Sequence, residues 1–372
     1  MSFKEFPSNA DYTTIVKNLT AFIVDKDIQS GKPQYSKMKR LISYAGGYSK
    51  VFPVYIKNRK IALRFWTANI EESQKRYQEI ERYLKERNLP YFVEFNYHNN
   101  SLNWKNNQYP FISMDWVEGK TLNKYLDANI TDSDKIRKLA ELFLEMVQTL
   151  HQNNIAHGDL QDGNILVIEN GTDIELKLID YDSLFVPSLR NFTVEIIGVE
   201  SYQHPNKNDM KKLNEKIDYF SELVIYLSLL VYAENKNFWE EGQDQKLLFE
   251  SKDFRDTQNS TIFNHLKNSN YSSKIVELTI RLEEYCIKSS INDLFPLENE
   301  KSDKFKGLFE NILESTKNVI ESFKMENGKW DRDMDSIKKI FSSTSVSKEV
   351  VDKKKQEESD KRFKDAIKRM RR

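Results

Sequence analysis

The residues best placed to do chemistry lie between His157 and Asp182: His157-Gly158-Asp159-Leu160-Gln161-Asp162-Gly163-Asn164, a short apolar run, and then Leu178-Ile179-Asp180-Tyr181-Asp182. Asn170-Gly171 is a strong turn signal between the run Ile165 to Ile168 and the alternating residues Ile174, Leu176 and Leu178, which predicts a β-hairpin. With residues 170 to 173 as its loop, Glu169 pairs with Ile174, and counting outward sets Asn164 opposite Ile179. An amide oxygen and the Asp180 carboxylate are thereby gathered at the open end, five residues downstream of Asp159. Hard oxygen ligands of this kind suit Mg²⁺.

This stretch resembles the catalytic and metal-binding loops of the protein kinase superfamily. His157-Gly158-Asp159-Leu160 and Asn164 stand in the place of H-R-D-L-x-x-x-N, and Asp180-Tyr181-Asp182 in that of D-F-G. The resemblance implies that Asp159 orients and accepts the proton of an attacking hydroxyl, and that Asn164 and Asp180 hold Mg²⁺ on the phosphates of ATP. It also implies an α+β, two-lobed fold with a small β-rich N-lobe and a larger helical C-lobe. The expected organisation is an N-terminal extension (1–40), the N-lobe (41–117), the C-lobe (118–292) and a charged, mostly helical C-terminal extension (293–372).

The elements that must position these groups follow in chain order. Tyr44-Ala45-Gly46-Gly47-Tyr48-Ser49-Lys50-Val51 precedes a hairpin of strands ending at Tyr55 and Phe65. Close approach of backbone N–H groups to phosphate favours glycine, and Gly46 and Gly47 supply it. Aligned on Val51, only the middle glycine of G-x-G-x-x-G is kept, with Ser49 at the third. Ala62-Leu63-Arg64 falls where the family has Ala-x-Lys, so the resemblance gives Arg64 the lysine's contact with the α- and β-phosphates. Arginine keeps the charge but brings a bulkier planar fork. A helix over about 70–87 carries Ile80, Tyr83 and Leu84 as its core stripe. Glu79 and Glu81 both lie near the place of the family's ion-pairing glutamate, and Glu79 is favoured.

Tyr91 to Tyr97 and Tyr109 to Val117 read as strands around a polar, asparagine-rich loop, 99–107. Asp115, Trp116 and Val117 resemble the hinge whose backbone meets the adenine edge. Apolar residues from Ile136 to Leu150 at helical spacing predict a core helix capped by Asp132 or Ser133. Gln161 replaces the lysine that neutralises the transferred phosphoryl group, and Gly158 replaces the arginine that reads activation-segment phosphate, so no such switch is expected. The segment from Asp182 to Pro205 resembles an activation segment, with Asn206 where the A-P-E glutamate belongs. Asp218 has two readings: the family's brace for the catalytic loop, or an N-cap of the apolar helix that follows.

Composition sets outer limits. Lys plus Arg and Asp plus Glu each number 57, so no global field argues for nucleic acid, membrane or an acidic partner. From Lys361 onward there are seven Lys or Arg against one Asp, a charged tail that a nucleic acid or acidic partner could contact, although a solvated helix is the plainer reading. The apolar run within 223–233 is too short to span a bilayer and the N-terminus has no signal-peptide core, which predicts a soluble, cytoplasmic protein. The single cysteine, Cys286, excludes an intrachain disulfide. An amphipathic helix is expected over 305–323, and 342–345 reads as a linker. The functional expectation is transfer of the γ-phosphoryl group of ATP to a serine or threonine of a protein. The alternatives are a pseudokinase that binds ATP or serves as a scaffold, and a small-molecule phosphotransferase.

Overall fold

The computed structural model describes residues 5–298 except 46–48, 69–71, 172, 191, 195–197, 208–211 and 269–270. Gly46 and Gly47, the expected helix over 305–323, the 342–345 linker and the basic tail therefore lie outside the described residues.

The chain opens with three short helices, α1 (Asn9–Lys17), α2 (Leu19–Phe22) and α3 (Lys26–Gln29), and strand β1 (Lys32–Pro33). Helix α1 starts at a reciprocal capping box, Ser8 with Asp11, which satisfies two of its otherwise unpaired N–H groups. Next come β2 (Tyr44–Ala45), β3 (Ser49–Ile56), β4 (Arg59–Trp66), α4 (Ser73–Arg87), β5 (Phe95–Trp104) and β6 (Asn107–Asp115). Their sheet runs β1-β3-β4-β6-β5, with β2 also on β3. Strand β4 is buried on both faces, which accounts for its nearly unbroken apolar run. Ile61, Leu63 and Phe65 meet Tyr12, Ile15, Val16, Leu19 and Ile28 of the N-terminal helices. Its alternate residues turn the other way, and Trp66 joins Tyr77, Ile80 and Leu84 of α4. Each large apolar side chain fully buried in this way contributes about 1.5–3 kcal/mol before conformational entropy is set against it. The first forty residues thus supply one wall of the N-lobe core.

The asparagine-rich stretch is strand rather than loop. Strands β5 and β6 pair as far as Trp104 and Asn107, with an irregularity between His98 and Leu102. The turn is only Lys105-Asn106, both left-handed at φ 47° and 63°, the geometry of a tight hairpin whose twist matches its strands. Leu102 is fully buried against the N-terminal helices, and that tertiary contact overrides the weak strand propensity of its asparagine neighbours. Tyr91 to Glu94, expected as strand, lies outside β5.

The C-lobe holds β7 (Lys120–Thr121), α5 (Leu122–Asn129), α6 (Ser133–Gln152), β8 (Ile165–Asn170), β9 (Asp173–Leu178), α7 (Tyr219–Glu234), α8 (Ser251–Arg255), α9 (Thr261–Asn268) and α10 (Ser273–Ile287). Asp132 caps α6 through the N–H of Lys135. Helix α7 is buried on nearly every side, as a helix at the centre of a large lobe must be. Together, a sheet-rich N-lobe and a helical C-lobe give the two-lobed α+β kinase fold. Among the described residues, no helix is long and apolar enough to cross a membrane.

Candidate active site

The hairpin β8–β9 has the register that its sequence implies. Glu169 faces Ile174 and Ile165 faces Leu178, and the N–H of Ile179 donates to the Asn164 carbonyl at 3.0 Å. Asn164 closes a 3₁₀ turn, Asp162–Asn164, in which the Gln161 side-chain oxygen accepts from the Gly163 N–H at 3.2 Å. Gln161 therefore caps its own turn. The Asn164 amide nitrogen donates to the Asp159 carbonyl at 2.8 Å and to its Oδ2 at 3.1 Å. That leaves the Asn164 Oδ1 without a donor among the described residues. Asp159 Oδ1 is buried with no hydrogen-bond partner among the described residues.

Three buried groups fix this loop from behind. Asp218 accepts from the N–H groups of both His157 and Gly158, the latter at 2.9 and 3.2 Å, and makes no side-chain cap bond to α7. The brace reading is the one that the bonds support. The His157 ring donates from Nε2 to the carbonyl of Ile179 at 2.9 Å, tying the loop to the residue before Asp180. Lys207, which sequence reasoning did not single out, donates from Nζ to the Gly158 carbonyl at 3.0 Å. Burial lowers its ammonium to about 8, against the pull of Asp218 and Asp159.

Two glycines have steric reasons. Gly158 sits at φ +81°, and a Cβ there would come within 2.2 Å of the Ser183 carbonyl oxygen, so no arginine fits this backbone. At Gly198, φ +83°, a Cβ would lie 2.6 Å from Asp159 Oδ1. The activation segment therefore passes directly over the Asp159 carboxylate. It is anchored upstream by paired backbone bonds between Ala156 and Phe185. Downstream, Asn206 Nδ2 donates to the Lys288 carbonyl at 3.1 Å and His204 meets the Tyr285 carbonyl at 2.8 Å. These neutral bonds stand where the family has a glutamate ion pair.

Arg64 is the most heavily bonded side chain of the cleft. Its Nε donates to Ser49 Oγ at 3.1 Å, and its Nη1 to Tyr77 OH at 2.9 Å and Asp182 Oδ1 at 2.7 Å. Its Nη2 donates to Asp180 Oδ1 at 2.8 Å and to Asp182 Oδ2. Asp182 also accepts from Tyr77 OH and, at 3.1 Å, from Trp66 Nε1. Burial pushes the Asp182 carboxyl up, but the guanidinium and these donors outweigh it and hold the group below the usual carboxylate range. Tyr181, in the phenylalanine place of D-F-G, packs on Phe92 and Phe95 and accepts from the Val93 N–H at 2.8 Å.

The expected pairing of Arg64 with Glu79 is corrected here. Glu79 bonds Arg82 at 2.8 Å, and Arg82 and Ser188 hold its carboxyl below its ordinary range. It points away from the cleft because helix α4 turns the stripe of Tyr77, Ile80 and Leu84 inward. Glu81 likewise pairs outward, with Lys85. Val51 faces Arg64 across β3–β4, and Ala62 lies between Pro53 and Met114, so both line the same cleft edge as the hinge. Asp115 pairs with Arg59, and the Trp116 N–H donates to the Lys60 carbonyl at 3.2 Å while its ring lies under Lys60 Nζ at 4.3 Å. The Val117 N–H makes no hydrogen bond among the described residues. Of the hinge backbone N–H groups, that of Val117 alone is open among the described residues.

A protein kinase domain profile matches residues 44–319. The chain belongs to the protein kinase family. Among curated kinases, it is 26% identical over 240 residues to a probable serine/threonine-protein kinase of Dictyostelium discoideum, covering 62% of this chain and 48% of that one. It is 32% identical over 105 residues to one of Encephalitozoon cuniculi, 28% and 32% of the respective chains. A calcium-dependent protein kinase of Arabidopsis thaliana matches at 28% over 128 residues, 34% of this chain and 24% of the relative. In each case the chain spans less than half of the relative's length. Within this kinase domain the expected residues Asp159, Asn164, Asp180 and Arg64 converge on one cleft. Glu79 does not join them; Tyr77, Trp66 and Asp182 do, and Lys207 holds the loop from behind.

Proposed function

We propose that this chain transfers the γ-phosphoryl group of ATP to a serine or threonine hydroxyl of a protein, with Mg²⁺ as cofactor. The observation that carries the reading is the Asp159 carboxylate. One oxygen is steered by Asn164, and the other is buried without a donor among the described residues. A buried acceptor left unpaired is costly, and a substrate hydroxyl is the donor that such a group awaits. Asn164 would hold the metal through Oδ1, and Asp180 through its carboxylate oxygen not bonded to Arg64; two protein oxygens are enough, since Mg²⁺ keeps waters and binds substrate phosphates. When bound, Mg²⁺ would neutralise charge on the transferred phosphate. The Val117 N–H is the hinge group available to adenine. Serine or threonine as acceptor is drawn from the names of the relatives, serine/threonine-protein kinases.

One observation favours the pseudokinase alternative: every N–H of Arg64 is already bonded within the protein, and Gln161 carries no charge. The test is incubation with radiolabelled ATP, Mg²⁺ and generic protein substrates, beside Asp159→Ala. Removing a positioned base should cost about 10²–10⁴-fold in turnover and leave ATP affinity nearly unchanged. Parent-like turnover by Asp159→Ala refutes the assignment. ATP binding without transfer favours the pseudokinase, and label on a metabolite alone favours a small-molecule phosphotransferase.

A further inference from the structure

We propose that Arg64 is a positioning residue for Asp180 rather than a reader of phosphate, and that Asp182, assisted by Tyr77, serves as its counter-ion in place of a helix glutamate. The Asp180 half of this rests on the phosphotransfer reading; the Asp182 half does not. A guanidinium has five N–H donors, and all five of Arg64 are engaged: by Ser49, by Tyr77, by Asp180 and twice by Asp182. The side chain is 6% exposed and that of Asp182 is 4% exposed. Four of these five bonds go to buried groups, Ser49, Tyr77 and Asp182, which water could not re-satisfy if Arg64 turned to a phosphate.

The charges point the same way. Asp182 takes two bonds from Arg64 and further donors from Tyr77 and Trp66, so both of its oxygens are occupied. The buried Arg64–Asp182 pair is thus close to neutral by itself. Asp180 accepts a single bond from Arg64, on Oδ1, and its side chain remains 39% exposed. Its charge and its second oxygen are left for a cation, while Arg64 fixes its direction. Asp180 is also held at φ +69°, a conformation that a non-glycine residue seldom adopts without support. Helix α4 is tied to the same segment, since Arg76 Nη1 lies 3.4 Å from the Asp182 carbonyl oxygen. The N-lobe therefore reaches Asp180 directly through Arg64, and α4 is tied to the segment through Asp182 rather than through a glutamate.

Two measurements test this. In thermal denaturation without nucleotide, Tyr77→Phe alone should lower the melting temperature by about 2–8 °C, and by much less when Asp182 is already asparagine, because the two share one bond. Additive shifts overturn the Asp182 assignment. Should Asp182→Asn not fold, Trp66→Phe replaces it with the opposite expectation: it removes one donor to Asp182 Oδ1 and leaves the Tyr77 bond in place, so Tyr77→Phe should then cost at least as much as it does alone, and a smaller shift overturns the assignment. In the second measurement, ATP binding is titrated with Mg²⁺ by calorimetry, with adenosine as the phosphate-free control. Arg64→Gln, or Arg64→Lys if the first is unstable, should raise the Mg²⁺ concentration at half-maximal ATP binding by about 10–100-fold, the usual cost of losing a group that orients a metal ligand. ATP affinity should recover at saturating Mg²⁺, with adenosine unaffected. Affinity that stays low at saturating Mg²⁺ shows a phosphate contact and overturns the proposal. A parent protein that binds no ATP overturns the phosphotransfer reading and the Asp180 half with it, while the thermal cycle still decides on Asp182.

Discussion

Replacing Asp218 by asparagine separates two jobs that one aspartate could perform. As a helix cap, asparagine is as good as aspartate, so the variant would be nearly neutral. As a brace, Oδ2 accepts from the N–H groups of His157 and Gly158 while Oδ1 takes the shorter bond from Gly158, and an amide offers only one oxygen, so that shorter bond is lost. Hydrogen bonds to a charged acceptor contribute roughly 1.5–3 kcal/mol each, so losing one costs about that much. Burial opposes the charged form of Asp218, which offsets part of the gain and favours the lower half of the range. At about 2–4 °C per kcal/mol for a domain of this size, the melting temperature should fall by roughly 3–9 °C. Asp218→Ala, which leaves both N–H groups unpaired in the interior, should fall about twice as far. Calorimetric melting of the three proteins is the assay, with hydrogen exchange at the Gly158 amide as the local readout. An Asp218→Asn protein that melts with the parent and keeps Gly158 protected would refute the brace.

Two further predictions concern pH. His151 is held between Glu222, at 2.9 Å, and Glu298, at 2.8 Å; burial opposes its charge, but the two carboxylates outweigh it and raise the ring to about 9. A raised histidine stabilises fully below its unfolded value near 6.5 and loses that contribution as pH rises through about 9, an effect of up to about 3 kcal/mol. The melting temperature of the parent should therefore fall between pH 7 and 9.5 more steeply than that of His151→Gln, and parallel curves would refute the pairing. Asp162 is buried beside Tyr202, whose OH donates to it at 2.6 Å. Burial raises its carboxyl to about 6 despite that bond, so its charged form is a penalty fully present above pH 6 and relieved as pH falls toward 4. Asp162→Asn should melt higher than the parent at pH 7, by an amount equivalent to about 1–3 kcal/mol, and lose that advantage near pH 4. A lower melting temperature at pH 7 would show that the carboxylate is needed as such.

Where pattern and local chemistry coincide, the sequence was sufficient. Asn170-Gly171 between alternating strands determines a register, and the register alone brings Asn164 opposite Ile179 and beside Asp180. The same periodicity identified Ile80, Tyr83 and Leu84 as the inward face of α4. It failed where a distant partner decides the outcome. Asparagines 99, 100 and 103 discourage a strand locally, yet Leu102 is held against helices from the chain's first thirty residues. The cap that starts α1, Ser8 with Asp11 three residues on, is a pattern the sequence carries. Asp182 and Arg64 are 118 positions apart, and nothing local to Asp180-Tyr181-Asp182 says that its second carboxylate faces a strand of the other lobe.

The glutamate expected on α4 shows a different kind of miss, because here periodicity held the answer. Successive helical residues are turned by about 100°, so a stripe through Ile80 and Leu84 extends back to Tyr77 at i−3 and excludes Glu79, one step round from Ile80. Distance along the chain points to 79 or 81, and it does not ask which face a residue occupies. Tyr77 lies on the inward face, and its OH both accepts from Arg64 and donates to Asp182. A tyrosine can do this where a glutamate cannot, since a carboxylate at the same point would meet Asp182 as a like charge in the interior. The aspartate after Tyr181 and the tyrosine of α4 therefore belong to one solution: with the counter-ion moved to position 182, the helix must offer a neutral hydroxyl in place of an acid.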